Sequence, residues 1–251
     1  MDSVDLDQLA SAYAYRPPSV SSIERAERAG LLLAPGSRVL DVGGGPGNHS
    51  AVWARQGHDA VLLDPSMTML TGVSERGLTG VRATAQAMPF LSRCFSLVWF
   101  HLSIHYGDWR VSVDEALRVM TDAGRVEIWT LGSDHYEHSF LTRWFPSVAI
   151  IDADRFPDPA VLAAYLEDRV RSISITHPIE TVTKTAGAWI PAIEAGFVST
   201  LQLVPADERA RGIEAIRRRY PDPSEEIAYE LRFTRIVADG ASTQPPHPQG
   251  S

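Results

Sequence analysis

The run Val39-Leu40-Asp41-Val42-Gly43-Gly44-Gly45-Pro46-Gly47 places a carboxylate at the end of an apolar segment and follows it with a glycine-rich turn. Glycines let the backbone take positive φ and let a ligand approach the main chain closely. The helix that follows such a turn opens with unpaired N–H donors. Asp64 ends the next apolar segment, where a carboxylate can accept both hydroxyls of a ribose. A dinucleotide site wants G-x-G-x-x-G, with a helix N-terminus facing a pyrophosphate. Here Gly43 and Gly45 fit the first two positions, but Asn48 stands at the third. The spacing is instead Gly43-x-Gly45-x-Gly47, with Asp41 two residues before the first glycine. A carboxylate there repels pyrophosphate and suits a ligand bearing an ammonium or sulfonium cation. A nicotinamide-dependent oxidoreductase is the alternative that the same residues leave open.

Other residues with chemical potential lie farther on. His101 and His105 follow a strand-like run; four-residue spacing would set them on one face of a helix, and either is a candidate general base. No metal site is expected there, since no nearby cysteine or third ligand completes one. Asp134-His135-Tyr136-Glu137-His138 reads as a solvated loop, and Arg209, Arg211, Arg217, Arg218 and Arg219 as a solvated helical face. The aromatics Trp99, Phe100, Tyr106, Trp109, Trp129, Trp144 and Phe145 fit either a core or a flat apolar substrate.

The elements that must position these groups alternate as βαβ units do. Strands are expected at Arg38–Val42, Ala60–Leu63, Val81–Ala83, Phe95–Phe100 and Arg125–Leu131. Helices are expected at Asn48–Gln56, Ser66–Arg76 and Asp114–Met120. Uninterrupted apolar strands between helices indicate a mostly parallel sheet covered on both faces. Farther on, Pro159–Arg169 reads as a helix, while Val170–Thr176 and Tyr229–Ala238 alternate as strands closing one sheet edge. The fold class expected is α/β: a Rossmann-like, doubly wound, mostly parallel seven-stranded sheet with a small C-terminal helical addition. One domain is expected over 1–240, with a ligand-binding core over 30–135. The addition, over 178–225, is expected as a substrate lid that selects the acceptor together with the rim segment Phe100 to Trp109, its apolar residues, Trp189 among them, forming an inner face; the alternative is a layer that only protects the sheet or forms a homodimer contact. Residues 241–251, without a large apolar side chain, are expected to be disordered.

Composition narrows the partners. At 44% hydrophobic residues, the 251-residue chain can build a full core. No apolar run reaches the roughly 18 residues of a membrane span, so no membrane partner is expected. A net charge of −8 argues against a broad grip on nucleic acid, leaving a small-molecule substrate. One cysteine, Cys94, suits a cytoplasmic setting.

Five segments together resemble the class I S-adenosylmethionine-dependent methyltransferases. Asp41 to Gly47 resembles their motif I, and Asp64 their acidic ribose ligand. Thr84-Ala85-Gln86-Ala87-Met88-Pro89-Phe90 is similar to "D-A-x-x-L-P-F", Phe95-Ser96-Leu97-Val98 to "F-D-x-V", and Leu117 to Arg125 to "L-R-V-L-K-P-G-G-R". Thr84 and Ser96 depart from the usual Asp. The closest likeness is to the small-molecule group that includes the ubiquinone and menaquinone biosynthesis enzymes, whose cofactor-covering segment Tyr13 to Pro18 resembles. The resemblance implies S-adenosylmethionine as cofactor, held by Tyr15, Arg16, Asp41, Gly43, Gly44, Gly45, Gly47, Asp64, Pro65, Ala85, Gln86, Ala87 and Phe100. It implies methyl transfer to an oxygen, nitrogen or carbon acceptor, with His101 and His105 the candidate catalytic residues.

Overall fold

The computed structural model describes residues 4–12 and 19–241. They form two compact units, one built from residues 19–130, 157–177 and 234–241, the other from residues 4–12, 131–156 and 178–233.

The larger unit is a seven-stranded sheet. Its strands are β1 (Arg38–Val42), β2 (Asp59–Asp64), β3 (Thr79–Arg82), β4 (Phe95–His101), β5 (Met120–Thr130), β6 (Val170–Thr176) and β9 (Thr234–Ala241), in the order β3-β2-β1-β4-β5-β9-β6. Strands β1 to β5 pair in parallel, and β9 runs antiparallel to both β5 and β6. The chain order reverses between β1 and β4, the topological switch point where α/β sheets open a ligand crevice at the carboxyl ends of their strands.

Alternation along the strands separates two faces. Leu40, Val42, Val98, Phe100, Val126, Ile128, Ile236 and Ala238 form one apolar cluster with Val113, Ala116 and Val119 of α5 (Trp109–Val119) and Leu162, Ala163 and Leu166 of α9 (Pro159–Glu167). The opposite face carries Asp41, Trp99, His101, Glu127, Trp129 and Arg235, and meets α2 (Val20–Leu31) and α3 (Asn48–Arg55). It is far more polar and aromatic than the first.

Local chemistry explains the helix ends. Ser19 caps α2 by accepting from Ser22 N at 3.1 Å. Asp108 caps α5 by accepting from Arg110 N at 2.9 Å, so α5 starts five residues before the expected Asp114. Asp158 caps α9 ahead of Pro159, whose missing N–H costs nothing in the first turn. The helix expected over Ser66–Arg76 is two short pieces, α4 (Met67–Leu70) and a 3₁₀ turn at Ser74–Arg76, divided at Gly72 with its φ of 75°.

The smaller unit corrects the expected helical addition. The stretch expected as that addition begins not with a helix but with β7 (Ile179–Thr185), paired antiparallel with β8 (Glu226–Arg232) in a sheet of its own. The strand expected over Tyr229–Ala238 is therefore two, divided at Phe233. A period-two pattern runs through both, so alternation alone does not reveal the change of sheet. The unit also takes in α1 (Leu6–Ala12), α6 (Ser133–His138), α7 (Phe140–Trp144), α8 (Ser147–Arg155), α10 (Ala186–Glu194) and α11 (Ala206–Arg219). Thus 134–138, expected as a loop, is helical. The unit's core is Phe140, Phe145, Val148, Trp189, Ile193, Phe197, Leu201, Ile216 and Ile227. Ala241, assigned to the tail, ends β9; residues 242–251 lie outside the described residues.

Candidate functional site

Asp41 and the turn after it sit where β1 delivers the chain to α3. Gly43 N donates to Leu63 O at 2.7 Å, which seats the turn on the end of β2. At Gly44 a Cβ would lie 2.2 Å from Leu62 Cδ1 and 2.5 Å from Asp41 Cγ, so a larger residue there must displace both side chains. Gly47, at φ 79°, opens α3 with a backbone conformation that L side chains rarely adopt. Across the turn, Ser103 donates from Oγ to Val42 O at 2.6 Å, locking the segment after β4 onto the end of β1.

Two carboxylates flank this turn. Asp41 is 1% exposed and accepts a hydrogen bond from Ser50 Oγ at 2.8 Å. Burial pushes its carboxyl up to about 7, against the lowering effect of Ser50. Asp64, also buried, accepts from Gly45 N at 3.0 Å and from Ser66 N at 2.9 Å, and burial raises it as well. The helix cap here is Ser66, which accepts from Met69 N at 3.2 Å. Asp64 braces the glycine turn instead, and a carboxylate with about four acceptor sites can take further hydroxyl donors. Two buried carboxyls held above their usual range on either side of one turn fit a ligand that brings a cation and hydroxyl groups. Pro65, half-buried beside Asp64, gives its carbonyl to Arg82 Nε at 3.2 Å.

The segment 84–90 does something the sequence did not signal. Gln86 Nε2 donates to Tyr106 O at 2.8 Å and to Ser112 Oγ at 2.7 Å, so its amide nitrogen is a strut holding the turn before α5. Ala87 N closes a turn on Thr84 O, and Ala85 packs against the apolar cluster. The Phe100 side chain is 0% exposed within that cluster, which leaves its backbone at the end of β4 as the part that can meet a ligand. Tyr15 and Arg16 lie outside the described residues.

His101 ends β4 on the polar face. Its ring stacks on Trp99 (6.2 Å, 5°) and meets His49 edge-on at 4.8 Å, and its Nε2 bonds Arg25 Nη1 at 3.1 Å. Arg25 in turn lies 4.5 Å over the Trp129 ring. Trp129 Nε1 and Arg235 Nε both donate to Glu127 Oε1, at 3.0 and 2.6 Å. His105 is buried with its ring 4.2 Å from Tyr106. Residues 102–107 form a turn in which Leu102 has φ 55°, so the four-residue spacing of the two histidines does not stack them on a helix. Arg25, His49, Ser103 and Glu127 went unread in the sequence. Only His49, directly after the glycine turn, carried a local signal.

In the smaller unit, Trp189 is 1% exposed and stacks on Tyr229 at 4.8 Å. The expectation that it lines an acceptor surface gives way to a core role. The arginines of α11 pair with acidic neighbours, Arg211 with Asp207 at 2.7 Å and Arg218 with Glu214 at 3.5 Å, as a solvated face does. His135 is buried, accepts from Arg232 N at 3.3 Å, and burial depresses it to about 4.

Residues 40–128 match the family model described as a methyltransferase domain. The chain is 31% identical over 144 residues to a malonyl-[acyl-carrier protein] O-methyltransferase of Enterobacter lignolyticus, covering 53% of this chain and 57% of that protein. It is 30% identical over 156 residues to a demethylmenaquinone methyltransferase of Corynebacterium urealyticum, covering 58% and 64%. The chain thus spans about half the length of the curated relatives it matches. Among solved structures, a protein of Anabaena variabilis described as a methyltransferase from an antibiotic biosynthesis pathway superposes with a TM-score of 0.65 at 19% identity. It covers 89% of this chain and 98% of its own. That likeness establishes the fold.

Proposed function

We propose that the chain is a class I methyltransferase that transfers a methyl group from S-adenosylmethionine to a small-molecule acceptor, a reading supported by the match of residues 40–128 to a methyltransferase domain. The observation that carries the reading is the pair of buried carboxylates, Asp41 and Asp64, on either side of one glycine turn at the carboxyl ends of β1 and β2. The cofactor supplies a methyl group on a positively charged sulfur, a reactive leaving group. Asp41 is assigned to the cationic end of the ligand and Asp64 to its ribose hydroxyls, with the backbone of Gly43 to Gly47 between them.

The chain's own residues then contribute proximity and alignment rather than covalent chemistry. Ser103 and Gln86 serve this by tying the 101–108 segment to the glycine turn and to the 84–88 turn. We assign acceptor selection to that segment, because rim loops vary chemistry while the sheet stays fixed. One cysteine in the chain suits a cytoplasmic protein. A malonyl thioester of a carrier protein and demethylmenaquinone, on which the named relatives act, are the first acceptors to try.

Calorimetry should show micromolar binding of S-adenosylmethionine or its demethylated product and none of NADH. Labelled methyl transfer to an acceptor panel then separates an enzyme from a silent cofactor-binding protein. Preferential binding of NADH overturns the reading in favour of a dehydrogenase.

A further inference from the structure

Residues 102–108, between β4 and α5, are tethered at both ends to the turns that carry the two carboxylates. At the first end, Ser103 Oγ donates to Val42 O, next to Asp41, and a Cβ on Gly43 would lie 2.6 Å from Ser103 Cβ. At the second, Gln86 Nε2 donates to Tyr106 O at 2.8 Å and to Ser112 Oγ at 2.7 Å, with Asp108 O at 3.4 Å. Gln86 belongs to the turn 84–87, which leaves β3 beside Asp64. There Ala83 N donates to Asp64 O at 3.3 Å, and Ala87 N to Thr84 O at 3.1 Å.

The direction of each bond in this strut is fixed. A backbone carbonyl only accepts, so the Gln86 amide must turn its NH2 group, and not its Oε1, towards Tyr106 O. Ser112 Oγ gives its own proton to Asp108 O at 2.9 Å and accepts from Gln86 with a lone pair. Gly107 lets the chain fold over the amide, since a Cβ there would lie 2.7 Å from Gln86 Nε2. Leu102 has φ 55°, a conformation that a non-glycine residue keeps only where its surroundings hold it. The tethers, and not regular secondary structure, thus impose the shape of the segment.

We propose that Gln86 is a positioning residue that couples the cofactor turns to the acceptor segment, so that cofactor binding orders 102–108 and the acceptor binds more tightly to the loaded protein. A ligand that stills the turns at 43–47 and 84–87 also stills what the Gln86 amide holds. Part of the entropy cost of ordering 102–108 is then met before the acceptor arrives, and no change of shape is required. By reciprocity, an acceptor seated on 102–108 tightens the cofactor by the same factor, and such couplings run from roughly 5- to 150-fold. The inference rests on the methyl-transfer reading and deepens it.

Hydrogen exchange of the full chain, resolved by residue with and without saturating S-adenosylhomocysteine, reads the coupling. The amides of Gly43 and Gly47 report occupation of the glycine turn. Those of Leu102 and Tyr106, bonded to Trp129 O and Ser103 O, report the segment. In the wild type all four should slow, the segment pair by at least about fivefold, the lower end of such couplings. Q86M keeps the length of the side chain but carries no donor; its glycine amides should still slow, while the segment pair should no longer respond. S112A removes one of the two acceptors and should respond less than the wild type. A strut with a structural role alone would loosen the segment in Q86M with and without ligand alike and leave the ligand-induced slowing in place, which overturns the proposal. So does a wild type in which only the glycine amides slow. If Q86M does not fold, a full response in S112A counts against the coupling. If S-adenosylhomocysteine slows neither pair in the wild type, the cofactor reading itself falls, and the coupling with it. Once an acceptor is identified, S-adenosylhomocysteine should raise its affinity by a similar factor in the wild type and not in Q86M; no rise in the wild type overturns the proposal.

Discussion

Asp41→Asn removes one buried charge and keeps nearly the same shape. In the wild type, burial raises the Asp41 carboxyl from 3.8 to about 7. At 1.36 kcal/mol per unit, ionised Asp41 costs the ligand-free fold on the order of 4 kcal/mol. Between these values the folded chain holds a proton that the unfolded chain has lost. Stability therefore falls as pH rises from about 4 to about 7 and levels off above it. A cation bound beside Asp41 reverses the preference, since the ionised form then gains an opposite charge. Cofactor affinity should accordingly climb with pH, by at most about tenfold per unit, up to about 7 and then flatten. The assay is titration calorimetry of S-adenosylhomocysteine across that range, in buffers of different ionisation enthalpy. Wild type should release up to one proton on binding below neutrality, and D41N none. D41N should bind more weakly at the alkaline end by roughly 1.5–3 kcal/mol, the scale of a hydrogen bond to a charged group, yet be the more stable of the two without ligand. The reasoning is refuted if wild-type affinity is flat across the range, or if D41N binds as tightly as wild type at its upper end.

Three further outcomes follow from the geometry. Asp64→Ala should weaken cofactor binding and also lower the ligand-free melting temperature, because Gly45 N and Ser66 N both lose their acceptor; a loss of about 1–3 kcal/mol in chemical denaturation is expected, and unchanged stability would show that water replaces the carboxylate. Trp189→Ala should cost about 3–5 kcal/mol as a core truncation while leaving cofactor affinity intact, to be measured by denaturation and calorimetry on the same sample. His135, depressed by burial to about 4 from 6.5, stays neutral in the folded chain where the unfolded chain is protonated; stability should thus be lost as pH falls from about 6.5 to 4, by roughly 3 kcal/mol, and His135→Phe should flatten that part of the melting-temperature profile.

The sequence by itself determined the strand–turn–helix at 38–55, the carboxylates Asp41 and Asp64, and the order of the first five strands. Those features are short-range. A glycine is required where φ must be positive or a Cβ does not fit, a carboxylate ends an apolar run, and a cap opens a helix. The tertiary structure decided the rest. Strand β4 is buried on both faces, so its apolar run hides that Phe100 turns into the core while His101 turns to the polar face. The chain over 226–241 alternates throughout, yet its halves join different sheets, because alternation fixes which side chains share a face and not which strand lies alongside. Gln86 became a strut because the fold brings Tyr106 and Ser112 to its amide. Arg25 and His101 are separated by 76 positions. Nothing local links them, and only the docking of α2 on the sheet puts that guanidinium against that ring.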